Sequence, residues 1–130
     1  RDTVRAMSAD PRRTPGRLGE DLALQHYERL GYALVARNHR TRHGELDLIV
    51  CDGRTLVFAE VKTRRASRDG PTPWDALHDR KRRQVRAMAS AWLAETTDRP
   101  RVPDLRFDGI GVVIDAHGKL VALDHAQDAF

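Results

Sequence analysis

Two short runs constrain this chain more than any other feature: Gly44-Glu45-Leu46-Asp47-Leu48-Ile49-Val50 and Phe58-Ala59-Glu60-Val61-Lys62. Both read as β-strands, and Asp52-Gly53 between them is a strong two-residue hairpin signal. A turn centred on Asp52-Gly53 sets Glu45 opposite Glu60 and Asp47 opposite Phe58. Strand alternation then places Glu45, Asp47, Phe58, Glu60 and Lys62 on one face, and Leu46, Leu48, Val50, Val57, Ala59 and Val61 on the other. The second face is wholly apolar and is an ordinary core face. The first is apolar at one end and charged at the other, and charge on an inner face is costly unless it is paired or holds a metal.

The rest of the chain supplies helices and further strands. Gly16 to Leu30 reads as a helix with Ala23, Leu24, Tyr27 and Leu30 at helical spacing, closed by Gly31. Glu20 falls one turn before Leu24 on that stripe. A first-turn acid suits the helix dipole, but one that faces inward needs a second reason. Ala33 to Arg37 reads as a short strand and Asn38 to His43 as a basic loop. Pro71 to Glu95 is the longest helical pattern, with Thr72 as N-cap, Pro73 in the first turn and Asp75 completing a capping-box-like pattern. Its stripe of Trp74, Leu77, Lys81, Val85, Met88 and Trp92 leans Lys81 inward, while Arg80, Arg82, Arg83 and Arg86 fan outward. Leu105 to Ile114 and Leu120 to Leu123 read as strands. The order α-β-β-β-α-β-β predicts an α/β fold, a mixed five-stranded sheet flanked by helices. Arg1 to Pro15 reads as a flexible leader, with Met7 a candidate start, and residues 16–130 as a single domain.

Composition narrows the function classes. One cysteine, Cys51, allows neither a disulfide framework nor a cysteine zinc cluster within the chain, and fits a reducing compartment. No apolar run approaches the roughly 18 residues of a membrane span, and no signal-like segment opens the chain, so the expected location is the cytoplasm, with no membrane partner. The net charge of +4 favours a polyanionic partner. From Glu60 to Arg86 there are nine Lys/Arg against four acids, densest at Arg80-Lys81-Arg82-Arg83. Such a run alone is as well explained by a solvated helix face. Its position directly after the acidic strands is what gives it weight.

Hydrolysis of a phosphodiester needs carboxylates to hold a hard cation, the cation to neutralise the phosphate and activate a water, and a further positive group near the attack. Asp47 and Glu60 are the expected ligands of Mg²⁺ or Mn²⁺, with Glu20 completing the shell from the helix and the Val61 backbone carbonyl a further donor. Lys62 supplies the positive group, and Glu45 is a candidate accessory acid. Each residue has a bland alternative. An isolated Glu-x-Lys is common on solvated faces, Asp47 alone fits an exposed strand end, and Lys81 can lay its stem over the core with its amine in water. His39 and His43 lack a third ligand and read as loop or phosphate contacts rather than a zinc site. Asp108 reads as a partner of Arg106, and Cys51 as structural. Convergence of the acids, Lys62 and the basic helix on one side of one sheet favours the functional reading.

The stretches Gly16-Arg17-Leu18-Gly19-Glu20, Gly31-Tyr32, Ala36-Arg37-Asn38, Gly44-Glu45-Leu46-Asp47-Leu48-Ile49, Phe58-Ala59-Glu60-Val61-Lys62-Thr63-Arg64, Lys81, Arg106-Phe107-Asp108 and Ala129-Phe130 carry a resemblance. Over nearly everything after Pro15 the chain closely resembles the YraN-like family of small bacterial proteins. That family looks like the archaeal Holliday-junction resolvases, with the restriction-endonuclease-like fold of PD-(D/E)xK nucleases. The resemblance implies a nuclease core in which Glu20, Asp47 and Glu60 bind divalent metal and Lys62 assists the water. The chain departs from the family at Ala59, where a bulkier apolar residue is usual, and in the loop His39 to His43.

These readings give an expected metal-dependent endonuclease acting on DNA, branched or structured DNA included. Arg64, Arg65, Arg80, Lys81, Arg82, Arg83 and Arg86 are expected to grip phosphates without reading sequence. The alternative is a non-catalytic nucleic-acid-binding module of the same fold, which would bind in a salt-sensitive way without metal and release no products. A homodimer is expected if the substrate is a two-fold symmetric junction.

Overall fold

The computed structural model describes residues 13–66 and 79–130, except for the side chains of 79–81. The expected leader up to residue 12 lies outside the described residues, as do Thr72, Pro73, Trp74, Asp75 and Leu77 at the expected start of the long helix. The elements are α1 (Pro15–Arg29), β1 (Ala33–Thr41), β2 (Gly44–Cys51), β3 (Thr55–Arg65), α2 (Asp79–Glu95), β4 (Asp104–Ile114) and β5 (Leu120–Ala126). They form one mixed sheet in the order β1-β2-β3-β4-β5. The pairs β1/β2, β2/β3 and β4/β5 are antiparallel, and β3/β4 is parallel with α2 in the crossover. The expected element order and mixed five-stranded α/β sheet are those observed.

Local chemistry sets the boundaries. Thr14 caps α1, its hydroxyl accepting the Arg17 N–H at 3.3 Å, and Pro15 takes the first helical position, where a missing N–H costs nothing. The expected basic loop is strand as far as Thr41, because β2 offers it a ladder through Arg40↔Glu45 and Thr41↔Gly44. The turn between them is only Arg42 and His43. Gly44 has φ +132, and a Cβ there would stand 2.7 Å from Gln84 Nε2, which donates to the His43 carbonyl at 2.8 Å. The glycine thus lets α2 close over the hairpin end.

The second hairpin corrects the expected register. Asp52 N–H donates to the Thr55 carbonyl at 3.3 Å, and Asp52 Oδ1 accepts the Arg54 and Thr55 amides at 3.0 and 2.8 Å. The central turn residues are therefore Gly53-Arg54 rather than Asp52-Gly53. The pairing moves by two residues, setting Ile49 opposite Phe58 and Leu48 opposite Ala59. A shift of two preserves the faces. It also removes the expected apposition of Glu45 and Glu60, since the β2/β3 ladder in its shifted register ends at Leu48↔Ala59.

The sheet buries a core on each face. Under α1 lie Leu18, Leu22, Ala23 and Tyr27 with Leu48, Val50, Val57, Ala59, Ile110, Val112 and Ile114. Under α2 lie Leu46, Ile49, Cys51, Leu56 and Phe58 with Val85, Met88, Ala89, Trp92 and Phe130. Leu46 was expected beside Leu48 and Val50 and is on the opposite side. The alternation of β2 therefore inverts between Leu46 and Leu48, at Asp47. Cys51 is a buried core residue, as expected.

Asp108 ties α1, β4 and β5 together. It is fully buried and accepts from Arg106 Nε and Nη2 (2.8 Å each), Tyr27 Oη (2.8 Å), His125 Nε2 (2.7 Å) and the Asp128 amide (3.0 Å). A buried carboxylate persists only when saturated in this way. Among the described residues no helix is long and apolar enough to cross a membrane.

Candidate metal centre

Glu20 reaches the sheet because the helix that carries it lies unusually close. A Cβ on Gly19 would overlap Thr63 Oγ1 of β3, so only glycine lets α1 approach there. Glu20, one residue on, is buried to 7% exposure. On the sheet, the inversion at Asp47 turns Asp47 and Glu45 toward the same helix. The result is a cluster in which one carboxylate oxygen from each of Glu20, Glu45 and Asp47 lies within 4.8 Å of the other two.

Cationic and amide groups surround the cluster. Glu20 Oε1 accepts Arg17 Nη1 at 3.0 Å and Asn38 Nδ2 at 2.7 Å. Arg17 Nη2 stands 3.8 Å from Glu45 Oε2, so one guanidinium spans two of the three acids. The hydrogen bond and charge of Glu20 raise the Arg17 pKa above its ordinary value, and the charges of Glu45 and Asp47 add to this. Arg37 Nη2 donates to Asp21 Oδ1 at 2.8 Å and lies 4.0 Å from Glu20.

Asp47 occupies the seam between β2 and β3. The ladder between these strands runs from Cys51↔Leu56 to Leu48↔Ala59. Where it ends, Asp47 Oδ2 accepts the Val61 N–H at 2.8 Å. The carboxylate of one strand thus reaches the backbone between Glu60 and Lys62 on the other.

Glu60 is half-buried and outside the group of mutually close carboxylates. On β3, Val61 packs in the α1 core and Thr63 meets Gly19, while Phe58 is in the α2 core. Alternation therefore sends Glu60 and Lys62 to the α2 side. The expected single face holding Glu45, Asp47, Phe58, Glu60 and Lys62 is corrected: inversion in β2 puts the first two with α1, and regular alternation keeps the rest with α2. On β4, the neighbours of Glu60 and Lys62 are Gly109 and Gly111, so no β4 side chain stands beside the pair.

The basic residues expected to grip phosphate fall in different places. Arg82 and Arg83 are exposed on α2. The side chains of Arg80 and Lys81 lie outside the described residues. Arg86 Nη2 donates to the Phe130 carbonyl at 2.6 Å, and its guanidinium lies 4.5 Å from the Phe107 ring centre, so its role is to hold the C-terminal residue against α2. Arg65 Nη1 donates to the Asp115 carbonyl at 3.0 Å, and Arg64 Nε is buried without a hydrogen-bond partner. His39 Nε2 meets Glu95 Oε1 at 2.9 Å, a pairing across β1 and α2 rather than a loop contact. Arg40, Thr41 and Arg42 line an open cleft of about 520 Å³ with Ala91, Ala94 and Glu95. Arg17 and Asn38 are the site residues that sequence reasoning passed over. Both lie within stretches that carried the family resemblance, but neither has a charge pattern of its own.

The donor set suits a hard divalent ion. All three clustered groups are carboxylates, the oxygen donors that such an ion takes.

A family model described as "Uncharacterised protein family UPF0102" matches residues 19–112, which span Glu20, Asn38, Glu45, Asp47, Glu60, Lys62 and Asp108. This chain is a UPF0102 protein. The resemblance to the YraN-like family is thereby shown. The UPF0102 protein of Rhodococcus opacus (strain B4) is 42% identical over 115 residues, covering 88% of this chain and 94% of the relative. That of Pelotomaculum thermopropionicum is 38% identical over 122 residues, covering 94% and 99%. That of Acidothermus cellulolyticus is 48% identical over 90 residues, covering 69% and 67%.

Proposed function

We propose that this UPF0102 protein is a Mg²⁺- or Mn²⁺-dependent endonuclease that hydrolyses phosphodiester bonds in DNA, branched or structured DNA included. The observation that carries this reading is the position of Asp47. It belongs to the acidic cluster and also binds the backbone between Glu60 and Lys62, so the two halves of the expected constellation meet at one carboxylate.

Glu20, Glu45 and Asp47 would hold the ion on the α1 side; Glu60 and the Val61 carbonyl, the donors expected from β3, would have to reach it through the gap where the β2/β3 ladder ends. The bound ion supplies charge neutralisation at the phosphate and a more acidic water. Lys62 places an ammonium on the β3 side of the seam, where it orients the attacking water or offsets developing charge. Asp47, held by the Val61 amide, fixes the spacing between the two strands. Arg82 and Arg83, with Arg80 and Lys81 in the same helical stretch, position phosphates. Arg86 is left out of that surface because its guanidinium is already held. A two-fold symmetric junction would call for a homodimer.

The test is cleavage of labelled duplex, single-stranded, flap and four-way-junction DNA with Mg²⁺ or Mn²⁺, wild type beside Glu60→Ala. Metal-dependent products that vanish in the variant support the reading. Salt-sensitive binding without products from either protein replaces it with the binding module.

A further inference from the structure

Asn38 carries two features that the expected constellation does not use. Its backbone lies in the left-handed region, at φ +53. Few residues other than glycine adopt that conformation, and asparagine is the commonest of them. Its side chain donates from Nδ2 to Glu20 Oε1 at 2.7 Å, across from β1 to α1.

The two features act on the same site. In the β1/β2 ladder, Arg37 pairs with Leu48 and His39 with Leu46, so Asn38 and Asp47 fall opposite each other at the one step skipped between them. That step is where the alternation of β2 inverts. The kink also changes the phase of β1. Arg37 and Asn38, which are adjacent, both reach α1, Arg37 through Asp21 and Asn38 through Glu20, and His39 reaches α2 through Glu95. Regular strands would send Arg37 and Asn38 to opposite faces.

We propose that Asn38 is a positioning residue for the acidic centre. Its left-handed backbone accompanies the inversion that turns Glu45 and Asp47 toward α1. Its carboxamide then fixes Glu20 Oε1 so that the third carboxylate meets the other two. Partners of this kind, which hold a ligand rather than the ion, set metal affinity by orienting the ligand. The assignment rests on the proposed metal-dependent hydrolysis.

The test uses the full chain as wild type, Asn38→Gly and Asn38→Ala. Mn²⁺ affinity is read by titration calorimetry, beside thermal melting and the Mn²⁺ dependence of DNA cleavage. Asn38→Gly keeps access to φ +53 and loses only the carboxamide. It is expected to melt near wild type, to bind Mn²⁺ about tenfold more weakly and to recover cleavage at high Mn²⁺. Asn38→Ala, which must also hold the left-handed backbone, is expected to show the same weakening with a lower Tm. In a Glu20→Ala background, which removes the acceptor, the Asn38→Gly effect on affinity should disappear, because the two residues act through one bond. Wild-type affinity in Asn38→Gly overturns the assignment and leaves the nuclease reading standing. A wild-type chain that takes up no Mn²⁺ removes the metal reading and this assignment with it.

Discussion

Asp47 Oδ2 accepts the Val61 N–H at 2.8 Å where the β2/β3 ladder ends. One carboxylate therefore satisfies a backbone donor that would otherwise have no cross-strand partner, and also stands among the clustered acids. The two roles are separable by substitution. Asp47→Asn keeps an oxygen acceptor for Val61 and removes the charge. Asp47→Ala removes both.

Asp47→Asn is expected to melt close to wild type while losing Mn²⁺ binding and cleavage by more than about a hundredfold, beyond the usual loss for a residue outside the ligand shell. Asp47→Ala should lose stability as well, by about 1–3 kcal/mol for a buried donor left unpaired. Chemical denaturation and calorimetry on both variants check this. Full cleavage by Asp47→Asn would remove Asp47 from the metal set.

Gly19 sets the distance between α1 and β3. Gly19→Ala puts a methyl group into Thr63 Oγ1 and should cost about 1–3 kcal/mol through overpacking. It also moves Glu20, so Mn²⁺ affinity should fall with stability. The Thr63 hydroxyl is buried without a hydrogen-bond partner. Thr63→Ala in the Gly19→Ala background should therefore restore part of the loss. Denaturation midpoints of the single and double variants decide it.

Asp108 bonds to Tyr27, Arg106, His125 and the Asp128 amide rather than to the clustered acids, and should dominate stability. Burial by itself raises its carboxyl pKa, but the bonds from His125, Arg106, the Asp128 amide and Tyr27 outweigh burial and hold it well below the usual carboxylate range. Removing it leaves Arg106 without its two bonds, so Asp108→Ala should lose about 3–5 kcal/mol. A depressed carboxyl pKa gives stability that is complete above the unfolded value, about pH 4, and lost as pH falls through the lower folded value. Urea denaturation from pH 7 to pH 2 should show that acid limb in wild type and a shallower one in Asp108→Asn.

His26 gives a second pH response near neutrality. Its Nε2 meets His125 Nδ1 at 3.0 Å, and burial, then the charges of His125 and Arg29, lower its pKa below the ordinary 6.5. The unfolded chain takes up a proton first as pH falls, so this contribution is complete above about pH 6.5 and lost below it. The wild-type Tm should decline between pH 7.5 and pH 5.5, and His26→Gln should flatten that decline. Parallel pH profiles for the two proteins would exclude His26 as its source.

Elements with a strong local signal were legible in the sequence. The Ala23 and Tyr27 positions of α1 and the Val85, Met88 and Trp92 stripe of α2 are buried as their spacing requires. Arg106 and Asp108 pair as their proximity suggests. The hairpin at Asp52 was legible as a hairpin but not in register. Asp52 closes the turn through its own side chain and moves Gly53 and Arg54 to the centre, and a dipeptide pattern does not distinguish these geometries. The β1 extension through Thr41 was hidden because basic residues suit a loop until a partner strand supplies their hydrogen bonds.

The sequence by itself supplied the candidate residues, because Glu20, Asp47, Glu60 and Lys62 are a matter of residue type and order. It also determined the α-β-β-β-α-β-β frame, because periodicity is a local property. Which acids come together was decided by tertiary structure alone. Ideal alternation groups Asp47 with Glu60, whereas the folded chain groups Asp47 with Glu45 and Glu20. The inversion of β2 lies opposite Asn38, whose backbone is left-handed and whose side chain reaches Glu20 on α1. Such an inversion reverses every face assignment beyond it, and no spacing rule applied to a single strand contains it.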